Sequence, residues 1–161
     1  MMKIPKKIAE RIQLDIALMA WDCYSPAAYF SGFRGIESEW NNPEYSWQLT
    51  VDMLYRFIVC DLIEVPWKER VHGYDEKTHG PIFDVLRAKD PNGPFHVEWI
   101  DELCPTDFCK QMIERYDLAE GVGYPDYQLC APFVEELEAL FERHGVPWLD
   151  EPLLPLRPAS N

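Results

Sequence analysis

The chain has 161 residues, which is enough for one domain to bury an apolar core without cross-links. Hydrophobic residues make up 47% of it and aromatic residues 14%, and this composition excludes an intrinsically disordered chain. The formal net charge of −13 at pH 7 would repel phosphate, so we expect neither nucleic acid nor a membrane as a partner.

The negative charge is distributed unevenly along the chain. Residues 1–36 carry five basic and three acidic residues, a balance of +2, so the remainder carries −15. Residues 98–151 alone contain fourteen acidic and three basic residues, a balance of −11. We therefore expect a basic protein as the partner, because complementary fields speed association. A surface that is acidic only for the sake of solubility is the alternative.

The first 21 residues do not fit a secretory signal, because Glu10, Arg11 and Asp15 interrupt the apolar residues. No apolar run reaches the roughly 18 residues that span a bilayer, so we expect a cytoplasmic protein. The odd number and wide spacing of the cysteines predict that most of them are buried thiols and that there is no disulfide framework. These cysteines are Cys23, Cys60, Cys104, Cys109 and Cys130.

The hydrophobic pattern predicts one mainly α-helical domain over residues 1–161, with about five or six helices and at most a small β-hairpin. Ser46 and Thr106 are predicted N-caps. Apolar alternation over 95–100 indicates a short strand, with the start of a helix as the alternative. The Pro-rich tail, 147–161, is predicted to be extended and to dock through Trp148, Leu149, Leu153 and Leu154. In chain order, helices are predicted at about 6–21, 26–30, 46–62, 81–88, from about 106 onward, and from 133 to 144.

No motif for catalysis or for a cofactor stands out. His72 and His79 flank a loop with Asp75 and Glu76, which are ligand types that suit zinc, but their spacing matches no ligand motif. A polar surface loop is the favoured interpretation. The chain has no Gly-x-Ser-x-Gly, dinucleotide-binding or Walker motif. We therefore predict no catalytic residue, no metal and no cofactor.

A resemblance to a known group of proteins rests on residues 46–56 (SWQLTVDMLYR) and 61–65 (DLIEV). The small size, the acidity and the lack of an active-site motif point to the same group. The chain resembles the immunity proteins of bacterial toxin–immunity systems, among them contact-dependent growth inhibition and type VI secretion. These proteins are structurally diverse, so the resemblance assigns no residues. It implies a cytoplasmic protein that occludes the active site of a cognate toxin, often a nuclease with a basic groove.

Acidic side chains of such an inhibitor would pair with the partner's Lys and Arg, and exposed rings would anchor the contact. Two regions of the chain combine acidic and aromatic residues at high density. The first, on the predicted loop at 35–45, comprises Glu37, Glu39, Trp40, Glu44 and Tyr45. The second comprises Glu98, Asp101, Glu102, Asp117, Glu120, Tyr124 and Asp126.

Two other functions are kept as alternatives. One is a small-molecule enzyme or metal-dependent hydrolase that uses scattered histidines and carboxylates. The other is a protein-binding regulatory or adaptor domain, because residues 50–65 are similar to the end of a winged helix. DNA binding by such a domain would need more basic residues than Arg56, Lys68 and Arg70.

Overall fold

The architecture consists mostly of helices. The computed structural model describes residues 1–34, 43–94 and 96–158. Within these ranges the helices are α1 (Lys6–Leu18), α2 (Pro26–Arg34), α3 (Pro43–Val59), α4 (Ile82–Ala88), α5 (Val97–Ile100), α6 (Asp107–Arg115) and α7 (Ala131–Arg143). Strands β1 (Ile63–Glu64) and β2 (Cys104–Pro105) pair antiparallel. The predicted fold class, mainly α with a small antiparallel pair of strands, is confirmed. None of the helices in the described ranges has the length and hydrophobicity that crossing a bilayer requires.

The core is formed by the apolar faces of several helices. On α1, Ile8, Ile12 and Ile16 recur every four residues and are buried, as their spacing predicted. Burial of such faces, rather than intrinsic propensity, stabilises helices of this length. The same core includes Val51, Leu54 and Phe57 on α3, and Phe133, Leu137 and Phe141 on α7.

The two predicted N-caps have different outcomes. Thr106 caps α6, because its hydroxyl oxygen accepts a hydrogen bond from the Cys109 amide at 3.1 Å. Ser46 is not a cap, since α3 already begins at Pro43 and the buried Ser46 hydroxyl has no partner among the described residues. A proline fits the first turn of a helix, where its missing amide hydrogen is not needed, and this explains the earlier start.

The short sheet is extended by a bridge and a disulfide bond. Tyr24 and Leu103 exchange backbone hydrogen bonds of 3.0 and 2.9 Å. Next to them, Cys23 forms a disulfide with Cys104. The prediction of buried thiols is therefore wrong for these two cysteines, because folding brings together residues that are 81 positions apart. Spacing along the sequence carries no information on such a contact.

The prediction of a strand at 95–100 is wrong for the residues of this segment that the structure describes. Residues Val97–Ile100 form the short helix α5, and Phe95 lies outside the described residues. A strand would place Val97 and Trp99 on one face, whereas a helix places Val97 beside Ile100. The structure buries Trp99 and leaves Val97 and Ile100 exposed.

A partly buried ion pair on α1 packs against α2. The Arg11 guanidinium donates to Asp15 Oδ1, and the other oxygen of Asp15 is buried without a partner in the described residues. The guanidinium packs so closely against Gly32 that a Cβ atom at this position would overlap with it. Burial raises the pKa of Asp15 to about 6, and the attraction of Arg11 offsets this only in part.

This pKa predicts a loss of stability as pH rises. Between the unfolded value near 4 and the folded value of about 6, the folded chain binds more protons than the unfolded chain. The free energy of unfolding should therefore fall by about 3 kcal/mol across that range. Asp15→Asn should match the parent at pH 4 and exceed it by about that amount at pH 7, as measured by urea unfolding. Glu135→Gln, at an exposed site, serves as the control and should follow the parent, and an Asp15→Asn curve parallel to the parent would contradict this account.

The Pro-rich tail docks on α3 and α4, as predicted. Asp52 accepts from the amides of Leu153 and Leu154, and Gln48 donates to the Leu154 carbonyl and accepts from the Leu156 amide. Leu149 is an exception to the predicted contacts, since its side chain is exposed. The tail thus satisfies polar groups of α3 that would otherwise be buried without partners.

Candidate protein-binding surface

Helix α5 presents two exposed aliphatic side chains. Val97 and Ile100 are 45% and 48% exposed and lie three residues apart, so they share one face of the helical turn. Glu98 and Asp101, both half-buried, and the exposed Glu102 lie on the same turn or directly after it. The segment therefore combines exposed apolar side chains with carboxylates, and protein interfaces commonly combine these two kinds of group.

The protein holds this segment in place from several sides. Trp99 is buried beneath α5, donates from Nε1 to the Lys89 carbonyl at 2.9 Å, and makes an edge-to-face contact with Phe30. Trp67 donates from Nε1 to the Glu102 carbonyl at 2.9 Å. The bridge at Leu103 and the disulfide at Cys104 fix the residues that follow. Binding here would require little ordering of the backbone.

A cleft of about 410 Å³ runs beside α5. Its apolar lining is Trp67, Val71, Pro81 and Val97. Glu98 and Asp101 line it as acidic groups, while the Arg70 guanidinium and the His72 imidazole line it from the turn after β1. The cleft can therefore receive a cation next to α5 and a carbonyl or carboxylate next to Arg70.

Within the described ranges, the carboxylates beside the cleft have no cationic partner. Among the described residues, no Lys, Arg or His nitrogen lies within 4.0 Å of the carboxylates of Glu98, Asp101 or Glu102. Their charges are thus available to a partner, because nothing within the described chain neutralises them at close range.

Helix α7 provides a contrast, because several of its acids already have structural roles. Glu138 accepts from the backbone amides of Lys3 and Ile4 at 2.6 and 2.8 Å, and Glu142 pairs with the Lys3 ammonium. Glu136 accepts from the Tyr116 hydroxyl and from Arg115, and these hydrogen bonds hold the pKa of Glu136 below its usual range. Much of the acidity of α7 therefore stabilises the fold.

A second exposed region is the loop between α6 and α7. Its acids, Asp117, Glu120 and Asp126, are exposed, and Tyr124 projects with 69% of its surface accessible. Tyr127 supports the loop by donating from its hydroxyl to the Leu118 carbonyl at 2.8 Å. The loop thus exposes three acids and one aromatic ring, and their role in binding a partner stays a prediction.

The first predicted region is only partly described. Glu37, Glu39 and Trp40 lie outside the described residues. Glu44 and Tyr45 are exposed in the first turn of α3, and Tyr45 lines a groove of about 240 Å³ together with the tail residues 148–152. This groove is separate from the cleft beside α5, since the two share no lining residue.

The structure therefore places the described candidates in three regions. These are the start of α3, residues 97–102 (the α5 segment), and the loop at 117–126 (the Tyr124 loop). Sequence reasoning missed the exposed Val97 and Ile100 and the cleft wall that contains Trp67. A helical interpretation of 97–100 would have placed Val97 and Ile100 together on one face. The approach of Trp67 to α5 left no signal in the sequence.

The histidines are dispersed among different environments. Nδ1 of His79 forms a hydrogen bond of 3.0 Å with the Tyr74 hydroxyl, and the ring packs against Tyr55 and Phe83. Burial lowers the pKa of His79. The Asp75 carboxylate accepts from the Lys77 amide and the Thr78 hydroxyl. In the described part of the chain, no three His, Cys, Asp or Glu side chains lie together in a way that suits a metal ion.

The fold and this surface define a class: a mainly α-helical domain with an acidic, partly apolar face beside a cleft. Comparison of the chain with protein-family models, with curated proteins and with solved structures finds no match.

Proposed function

We propose that the protein binds a basic partner protein and neutralises it by occlusion, as an immunity protein neutralises a toxin. The observation that supports this proposal is the set of solvent-accessible carboxylates on and directly after α5, beside Val97 and Ile100, for which the described residues supply no cationic partner. Unpaired surface charge gives attraction at long range, and exposed apolar side chains give short-range contact area once the surfaces meet.

The proposed mechanism needs no chemistry from this chain. A toxin that acts on nucleic acid holds phosphate with Lys and Arg, and carboxylates of the inhibitor would pair with the same groups. The substrate would then be excluded by both charge and volume. The proposed place of action is the cytoplasm.

Capture from the native host tests this function. The tagged chain should recover one predominant basic protein, and co-expression should protect cells from that protein's toxicity. The association rate should fall by about tenfold or more as salt is raised from low to high concentration, because screening removes the steering field.

An unrelated bait of the same net charge is the control, since it shares the electrostatic attraction but lacks this surface. Equal recovery of many proteins by both baits would indicate that the acidity serves only solubility. Recovery of a single partner whose binding does not depend on salt would contradict the proposed electrostatic mechanism.

A further inference from the structure

We infer that the partner docks on the α5 segment and inserts a Lys or Arg side chain into the cleft between α5 and the turn that carries Trp67. This inference rests on the proposed function and selects one of its candidate surfaces. It also names the group that is recognised, an alkyl chain that ends in a cation.

The charges around the cleft favour such a group. Glu98 and Asp101 line the cleft, and no cation within the described residues lies within 4.0 Å of their carboxylates. Arg70 and His72 line it as well, and the permanent positive charge of Arg70 disfavours a second cation on that side. The occupant thus carries its cation towards α5 and a carbonyl or acidic group towards Arg70.

The apolar lining favours a long side chain. Trp67, Val71 and Pro81 can cover the methylene groups of Lys or Arg, while its charged end reaches the carboxylates. Val97 and Ile100 would contact apolar groups around that side chain. A volume of about 410 Å³ accommodates one such side chain with part of its backbone.

The α5 segment is better suited to this role than the Tyr124 loop. The loop exposes one ring and three acids, whereas Glu98 and Asp101 of the α5 segment line a cleft of about 410 Å³. Side chains that dominate binding energy usually fill pockets that exclude water. Backbone rigidity also favours α5, because Trp67 and the disulfide already hold Glu102 and Cys104 in place.

The probe for this inference is n-butylguanidinium, the arginine side chain without its backbone. It is titrated into the ¹⁵N-labelled full-length chain, and NMR chemical shifts are followed. We expect saturable shifts of the Trp67 indole N–H and of the amides at 97–102, with half-saturation on the order of millimolar. Methylguanidinium, which lacks the alkyl chain, should bind more weakly.

Two double variants with the same charge change separate the cleft from general acidity. Glu98→Gln/Asp101→Asn should weaken binding of n-butylguanidinium by about fivefold or more. Glu114→Gln/Glu135→Gln removes exposed acids from α6 and α7 and should leave the affinity unchanged. Equal losses in both variants, or shifts spread over all exposed acids, would overturn the inference. Unchanged urea midpoints establish that both variants are folded.

A second test measures binding of the captured partner protein to the same variants. The dissociation constant should rise by about tenfold with Glu98→Gln/Asp101→Asn and stay constant with Glu114→Gln/Glu135→Gln. If Asp117→Asn/Asp126→Asn weakens binding and the α5 variant does not, the partner docks on the Tyr124 loop; this inference then fails while the proposed function stands. If no basic partner exists, the proposed function fails, and the guanidinium titration still reports on the cleft.

Discussion

Removal of the Cys23–Cys104 disulfide is expected to lower the free energy of unfolding by about 4 kcal/mol. The bond joins residues that are 81 positions apart, so it removes much of the freedom of the unfolded chain. In the folded chain it ties the connection between α1 and α2 to β2, directly after the acidic α5 segment. Its loss should therefore affect stability more than an average surface substitution does.

The measurement is urea unfolding of Cys23→Ser/Cys104→Ser with and without dithiothreitol. The native chain should lose stability in dithiothreitol, whereas the variant should be less stable than the native chain and should not respond. Cys60, Cys109 and Cys130 are the free cysteines. Burial raises the pKa values of Cys60 and Cys109 to about 12, so these two thiols do not take part in exchange while the chain is folded. Five titratable thiols in the unreduced, denatured chain would contradict the disulfide.

The disulfide also bears on where the protein acts. Thiols in the cytoplasm are generally kept reduced, so a structural disulfide is unusual there. Alkylation of thiols at the moment of cell harvest would report whether Cys23 and Cys104 are bonded in the host. An oxidised pair would favour an oxidising compartment over the proposed cytoplasm, and a reduced pair would favour the cytoplasm.

Arg56→Ala is expected to destabilise the fold by about 4 kcal/mol. Arg56 is 2% exposed and donates to the Val146 carbonyl at 3.1 Å and to the Pro147 carbonyl at 2.7 Å. Its guanidinium also lies 5.2 Å from the ring centroid of Trp148. The substitution would leave both carbonyls without their donor and would open space between α3 and the start of the tail.

Thermal unfolding measures this effect, and a decrease in Tm of about 10 °C corresponds to it for a chain of this size. Arg56→Lys keeps a positive charge but cannot reproduce the planar fork, so it should recover only part of the loss. Arg157→Ala, at an exposed site in the tail, is the matched control and should leave Tm unchanged. A Tm for Arg56→Ala equal to that of the control would contradict the role assigned to Arg56.

The sequence predicted those features of the fold that depend on local patterns. The four-residue spacing of Ile8, Ile12 and Ile16 was enough to place the buried face of α1, and Thr106 was recognisable as a cap. Long-range contacts were not predictable in this way. The Cys23–Cys104 bond depends on two segments meeting, and four residues at 97–100 are too few to separate helical from strand periodicity.

The candidate site was predictable in charge but not in shape. Composition identified Glu98, Asp101 and Glu102 as acids to consider, and the structure places them around one short helix. The cleft arises because the turn that carries Trp67 lies against α5, and no spacing rule connects those segments. The acids of α7 illustrate the reverse case, since Glu138 and Glu142 look free in the sequence but hold residues 3 and 4 in the fold.

The central claim is that the carboxylates around α5 meet basic groups of a partner protein. Carbodiimide cross-linking of the purified native complex tests it most directly, because this reagent joins carboxylates to lysine amines in contact. The account predicts links from Glu98, Asp101 or Glu102 to lysines of a single basic protein. Links confined to α7 and the Tyr124 loop, with none from the α5 segment, would contradict it.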